Sequence, residues 1–188
     1  MKFLKPLTLI ILAFLAIAPP LKAQVDLKVS PFGLLFSNIV LRAEFPVAEA
    51  VGIELQGGAG WNKINFDEED DLKTSTLRFG ANGRYYFSPE VGLDKFYLGA
   101  YARFAAGKGS STADTDEYNT TRFSVGTLFG YKVLAKNQKL LFDFNLGFGR
   151  ALIYKFDPIG DTADNVDLSD IPLLNWDIPA TIAIGYRF

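Results

Sequence analysis

The 188-residue sequence predicts an all-β fold, an eight-stranded antiparallel up-and-down transmembrane β-barrel. Three observations lead there. Apolar residues recur with a period of two along most of the chain, the pattern of strands with one apolar face. The connections alternate between short turns and longer polar loops. After residue 23, no stretch supplies the roughly 18 uncharged apolar residues that a membrane-crossing helix needs.

The leader comes first. Residues 1–5 carry Lys2 and Lys5, residues 7–18 form an apolar run, and Leu21-Lys22-Ala23 ends it on a small residue. This is the order of a secretory signal peptide, with cleavage expected after Ala23. The run is about 12 residues, short of the roughly 20 needed to span a bilayer as a helix. Residues 1–23 are therefore read as signal peptide and residues 24–188 as one barrel domain. Cleavage removes Lys2, Lys5 and Lys22 and moves the formal charge from −2 to −5. An acidic exported chain is not expected to bind nucleic acid. The sequence has no Cys, which excludes disulfides, thiolate metal sites and a lipoprotein signal.

The strands are clearest at the C-terminus. Over residues 176–188, Trp176, Ile178, Ala180, Ile182, Ile184, Tyr186 and Phe188 share one face, opposite Asp177, Thr181, Gly185 and Arg187. Residues 140–148 repeat the pattern, with Phe142, Phe144 and Leu146 opposite Asp143 and Asn145. So do residues 122–133, where Phe123, Val125, Phe129 and Tyr131 oppose Arg122, Ser124 and Lys132. Residues 96–104, 77–87, 51–61 and 39–45 add four more strands, and a less regular one runs from 25 to 35, interrupted by Pro31. The short turns fall at 47–50, 89–95 and 135–139; the long polar connections at 62–74, 108–120 and 155–174. A meander of this kind is the plan of an outer-membrane barrel. Pro31 and Pro179 lie on the two strands that must meet to close it. Proline donates nothing to a ladder, so this seam is expected to be short or bulged.

Alternation alone does not say which face is inside, because a soluble lipocalin-like barrel alternates equally. Glycine placement favours the membrane form. Gly52, Gly58, Gly60, Gly80, Gly99, Gly126, Gly130, Gly147, Gly149 and Gly185 share the polar face, where they make room in a narrow lumen for Arg and Tyr. Aromatic residues cluster near strand ends on the apolar face, as in interfacial girdles. The C-terminal Ile182, Ile184, Tyr186 and Phe188 resemble the signal read by the bacterial barrel assembly machinery, with Ala183 where that signal usually has Gly. Over residues 25–188 the chain resembles OmpA/OmpX-like eight-stranded barrels, and in particular small exported barrels grouped as domains of unknown function. The resemblance implies outer-membrane location, lipid and the assembly machinery as partners, and a monomer.

Candidate functional residues fall into two groups. Lys28, Arg42, Arg78, Arg84, Arg103, Arg122 and Arg187 are expected in the lumen with Glu44, Glu54 and Asp143. Charges so enclosed must pair, which predicts a structural ion-pair plug, or alternatively a narrow gated pore. The excess of Arg over acid leaves room for bound anions or water. The second group is acidic and lies in the long connections: Asp67, Glu68, Glu69, Asp70, Asp71, Asp161, Asp164 and Asp167. Such oxygen ligands suit divalent cations, although no EF-hand spacing is present. The sequence has no His, so the commonest general base is missing; Asp143 and Glu54 are the inward carboxylates left to consider. No enzyme and no cofactor are expected.

Overall fold

The computed structural model describes residues 24–35, 37–65, 71–111, 117–159, 166–167, 171 and 174–188. The leader 1–23 and the acidic positions 67–70, 161 and 164 lie outside them. The strands are β1 (Asp26–Val29), β2 (Asn38–Ala48), β3 (Val51–Asn65), β4 (Asp71–Tyr86), β5 (Lys95–Ser111), β6 (Glu117–Leu134), β7 (Leu140–Ile159), β8 (Val166–Asp167), β9 (Trp176–Asp177) and β10 (Ala180–Arg187), with a single helical turn α1 (Pro31–Leu35). Eight of them form a closed antiparallel ring in the order β1-β2-β3-β4-β5-β6-β7-β10, and β10 pairs back onto β1. The two-residue strands β8 and β9 attach to β7.

Exposure settles which face is inside. Leu77, Phe79 and Tyr85 on β4 with Phe87 just after it, and Ile182, Ile184 and Tyr186 on the closing strand with Phe188 just after it, are all exposed. Their alternate neighbours Arg84, Tyr86 and Arg187 are buried. The apolar face therefore points outward and the charged face inward, opposite to a soluble barrel. From Leu77 on β4 to Phe87, one residue past its end, the outward residues span ten steps. At about 3.4 Å per residue and a tilt near 45°, that is roughly 24 Å, the height of a lipid-facing band. Tyr85 and Phe87 meet edge to face, with ring centroids 5.2 Å apart, at the short-turn end, and Phe148 and Trp176 do so at 5.5 Å towards the other.

Two expectations need correction. β3 to β7 are 15 to 20 residues long, well beyond the roughly 9–11 that cross a bilayer. Segments read as loops at 62–65, 71–74, 108–111, 117–120 and 155–159 are strand. There the outward side chains turn polar, at Lys63, Lys73, Lys108 and Lys155, while the ladder continues above the apolar band. The first strand is also shorter than expected. It stops at Val29, and Pro31 begins α1, where its fixed φ and missing N–H suit the first turn of a helix. The seam has four paired positions, Asp26 to Val29 with Arg187 to Ile184, and Pro179 lies just outside β10. A short seam at the two prolines is what their chemistry requires.

Candidate functional site

The inward side chains stack in layers that differ in charge. Nearest the short turns, Lys28 Nζ lies 2.6 Å from Glu44 Oε2, 2.5 Å from Glu54 Oε2 and 2.6 Å from Asp143 Oδ2. The guanidinium of Arg84 meets the same three carboxylates, at 2.7 Å from Asp143, 3.3 Å from Glu44 and in direct contact with Glu54. Lys132 joins Glu44 at 2.6 Å to Asp26 at 2.9 Å. Arg187 Nε donates to Asp26 at 2.7 Å, and its terminal nitrogens donate to the carbonyls of Val91 and Leu93, fastening the seam to the β4–β5 turn. Tyr86 and Tyr97 each donate a 2.6 Å hydrogen bond, to Glu44 and Asp143.

Four acids (Asp26, Glu44, Glu54, Asp143) thus face four bases (Lys28, Arg84, Lys132, Arg187). The balance has a physical cause. A lone ion out of water costs several kcal/mol, so enclosed charges persist where partners compensate them. Glu44, Glu54 and Asp143 converge closely enough to resemble a metal ligand set, but Lys28 and Arg84 already supply the positive charge between them.

Glycines give the tyrosines their space. A Cβ on Gly130 would lie 2.5 Å from Cζ and Oη of Tyr97, and one on Gly126 would lie 2.8 Å from Tyr101. Tyr86, Leu93, Tyr97, Tyr101 and Leu128 form a small apolar cluster around the ionic layer. Gly130→Leu is expected to push Tyr97 off Asp143 and destabilise the barrel by about 1–3 kcal/mol, the range for overpacking. A urea-unfolding midpoint in detergent reads it; an unchanged midpoint would mean Tyr97 is not tightly packed over Gly130.

Towards the long connections the layers change character. Arg42 Nε donates to Gln56 at 3.2 Å, and its terminal nitrogens donate to Ser30 at 2.5 Å and Thr181 at 3.4 Å. Arg78 donates to Asn38. Arg103 pairs with Asp177, and Arg122 lies 3.7 Å from the same carboxylate while donating to the carbonyl of Trp176 at 2.5 Å. Tyr101 donates to Asp177 at 2.8 Å. These four arginines border a cavity of about 390 Å³, and a smaller one of about 30 Å³ lies between it and the ionic layer.

The candidate lumen residues therefore form two separate groups. Lys28, Glu44, Glu54, Arg84, Asp143 and Arg187 come together; among the described residues Arg42, Arg78, Arg103 and Arg122 make no ion pair with Glu44, Glu54 or Asp143, although Arg42 shares the smaller cavity with Glu54. The sequence reading omitted Asp26, Lys132 and Asp177. Lys132 and Asp177 were already visible on the polar face by alternation, and Asp26 becomes evident once β1 is in register opposite Arg187. Of the acidic group, only Asp71 (as backbone in β4) and the exposed Asp167 lie among the described residues.

A closed antiparallel ring with an apolar exterior and an ionic interior defines a membrane β-barrel. Two solved structures share the fold. One is Ail, the attachment invasion locus protein of Yersinia pestis, with a TM-score of 0.52 and 10% identity over 89% of this chain and 100% of that one. The other is a major outer membrane protein from Thermus thermophilus, with a TM-score of 0.51 and 13% identity over the same shares. The chain belongs to the family described as protein of unknown function (DUF3575), whose model matches residues 7–162. A search of curated proteins found no match.

Proposed function

We propose that this is an exported outer-membrane barrel whose lumen is closed towards the short turns, and that it serves a non-enzymatic structural or cell-surface interaction role. The observation that carries this reading is the balanced ionic layer, whose Lys28, Arg84, Glu44 and Glu54 side chains have no solvent exposure. A layer without solvent leaves no continuous path for ions. The apolar outward band supports membrane insertion, as do strands that continue beyond it with outward Lys63, Lys73, Lys108 and Lys155. One fold neighbour is named as an outer membrane protein and the other as an attachment and invasion locus protein, which fits location and surface contact. No His is available for the usual base chemistry.

The test is fractionation of expressing cells. The reading expects the protein in the outer membrane, with gel mobility that changes on heating, and a mature N-terminus at Gln24. Recovery from the soluble periplasmic fraction would overturn it. A narrow pore is the second reading, favoured by the 390 Å³ cavity that already opens part of the lumen.

A further inference from the structure

The two halves of the lumen differ in one respect that the fold does not require. The ionic layer is neutral, whereas the larger cavity above it has four arginines and, among the described residues, one acid, Asp177. Arg78 and Arg122 stand on either side of Ala105 in the sheet register, and Arg103 is two residues along the same strand. Like charges on neighbouring strands repel, and here three of them converge on one small space. Their hydrogen bonds do not use them up. Among the described residues, Arg78 has the Asn38 amide and no acid, Arg42 hydrogen-bonds only to neutral groups, and Arg122 Nε is buried with no hydrogen-bond partner.

We propose that this cavity is an oxyanion site, built to take a phosphate-class group. Among the described residues the formal excess is three positive charges, which calls for a multivalent anion rather than a single carboxylate. Arginine presents a planar fork of donors that matches phosphate oxygens. Thr120 and Ser124 line the same space and add hydroxyl donors. The volume lies within the roughly 300–1,000 Å³ typical of small-ligand sites. Arg103 and Arg122 keep 35% and 28% side-chain exposure, so an anion can reach them. A free phosphate and the phosphate of a lipid headgroup share this chemistry. The second has a route of its own: β1 ends at Val29, and beyond it β2 and β10 are not joined by strand pairing among the described residues. Val40 and Thr181, on either side of that seam, line the cavity. The inference rests on the barrel fold and not on closure of the lower lumen, so phosphate binding and conductance can fail independently.

Full-length mature protein is titrated with inorganic phosphate by calorimetry, in nanodiscs of an uncharged glycolipid and in nanodiscs of a phosphate-bearing lipid. The expected result is saturable binding in the glycolipid, weakened at least tenfold in R78Q and in R122Q but unchanged in K73Q, whose side chain faces outward. Persistence of binding in the phosphate-bearing lipid assigns the site to a soluble anion; its loss there assigns it to a headgroup. Both support the proposal. Absence of saturable binding in the glycolipid would overturn it, as would equal binding by wild type and both arginine variants, which is the behaviour of an adventitious ion only. Folding is checked by heat-modifiable mobility. R78Q relieves repulsion and is expected to keep or raise the unfolding midpoint without phosphate; a lower midpoint would mark Arg78 as a structural partner and contradict the proposal.

Discussion

Glu44→Gln is expected to destabilise the barrel by about 3–5 kcal/mol, the cost of removing one partner from a buried ion pair. Glu44 meets Lys28, Arg84 and Lys132 and accepts a hydrogen bond from Tyr86. The amide keeps the shape and one acceptor but removes the charge, leaving four bases against three acids in a buried layer. The effect should be strongly non-additive. Adding Lys132→Met restores the balance at three against three, and Arg187 keeps Asp26 paired. The double variant should therefore lose less stability than Glu44→Gln alone. Equilibrium urea unfolding in a lipid or detergent host reads both. If the double variant is no more stable than Glu44→Gln, charge balance is not what holds this layer.

Ile182→Arg has the second largest expected effect. Ile182 lies opposite Phe144 near the middle of the outward band on the closing strand. Arginine at the bilayer midplane of a barrel costs about 2–4 kcal/mol. The strand beside it is only four residues long, so little pairing on that side resists the loss. Assembly in cells should fall, seen as less folded band in unheated gels and less protein in the membrane. The control is Ile182→Leu, which keeps the same outward position apolar and should assemble as the wild type does. Equal assembly of Ile182→Arg and wild type would contradict the outward phase of β10.

Much of this was legible in the residues, for a physical reason. The ladder imposes a period of two, and burial in lipid selects for it strictly, so Leu77 to Phe87 and Trp176 to Phe188 reveal both the strands and their faces. The strand ends were harder to read, because above the lipid the outward face is free to become polar while the backbone keeps pairing. Lys63, Lys73, Lys108 and Lys155 mark where the sequence signal stops and the strand does not. The one-turn α1 was missed because Leu27 and Val29 begin an alternation that Pro31 ends within a few residues. The candidate site was legible as a set of residue types and not as a set of partners. Alternation puts Arg42 and Arg84 on the same polar face, but height along the axis depends on register. That height decides that Arg84 meets three carboxylates and Arg42 meets Ser30, Gln56 and Thr181.

Register thus divides the lumen into a neutral buried layer and a cationic chamber, and the proposal that the buried layer closes the lumen is the centre of the account. Planar-bilayer recording of the purified mature protein tests it most directly. The account predicts a silent bilayer at moderate voltage for the wild type, because Lys28, Arg84 and Lys132 and their acids leave no wet passage. Reproducible discrete conductance steps from wild-type protein, abolished by heat denaturation before reconstitution, would contradict it and make the chain a pore.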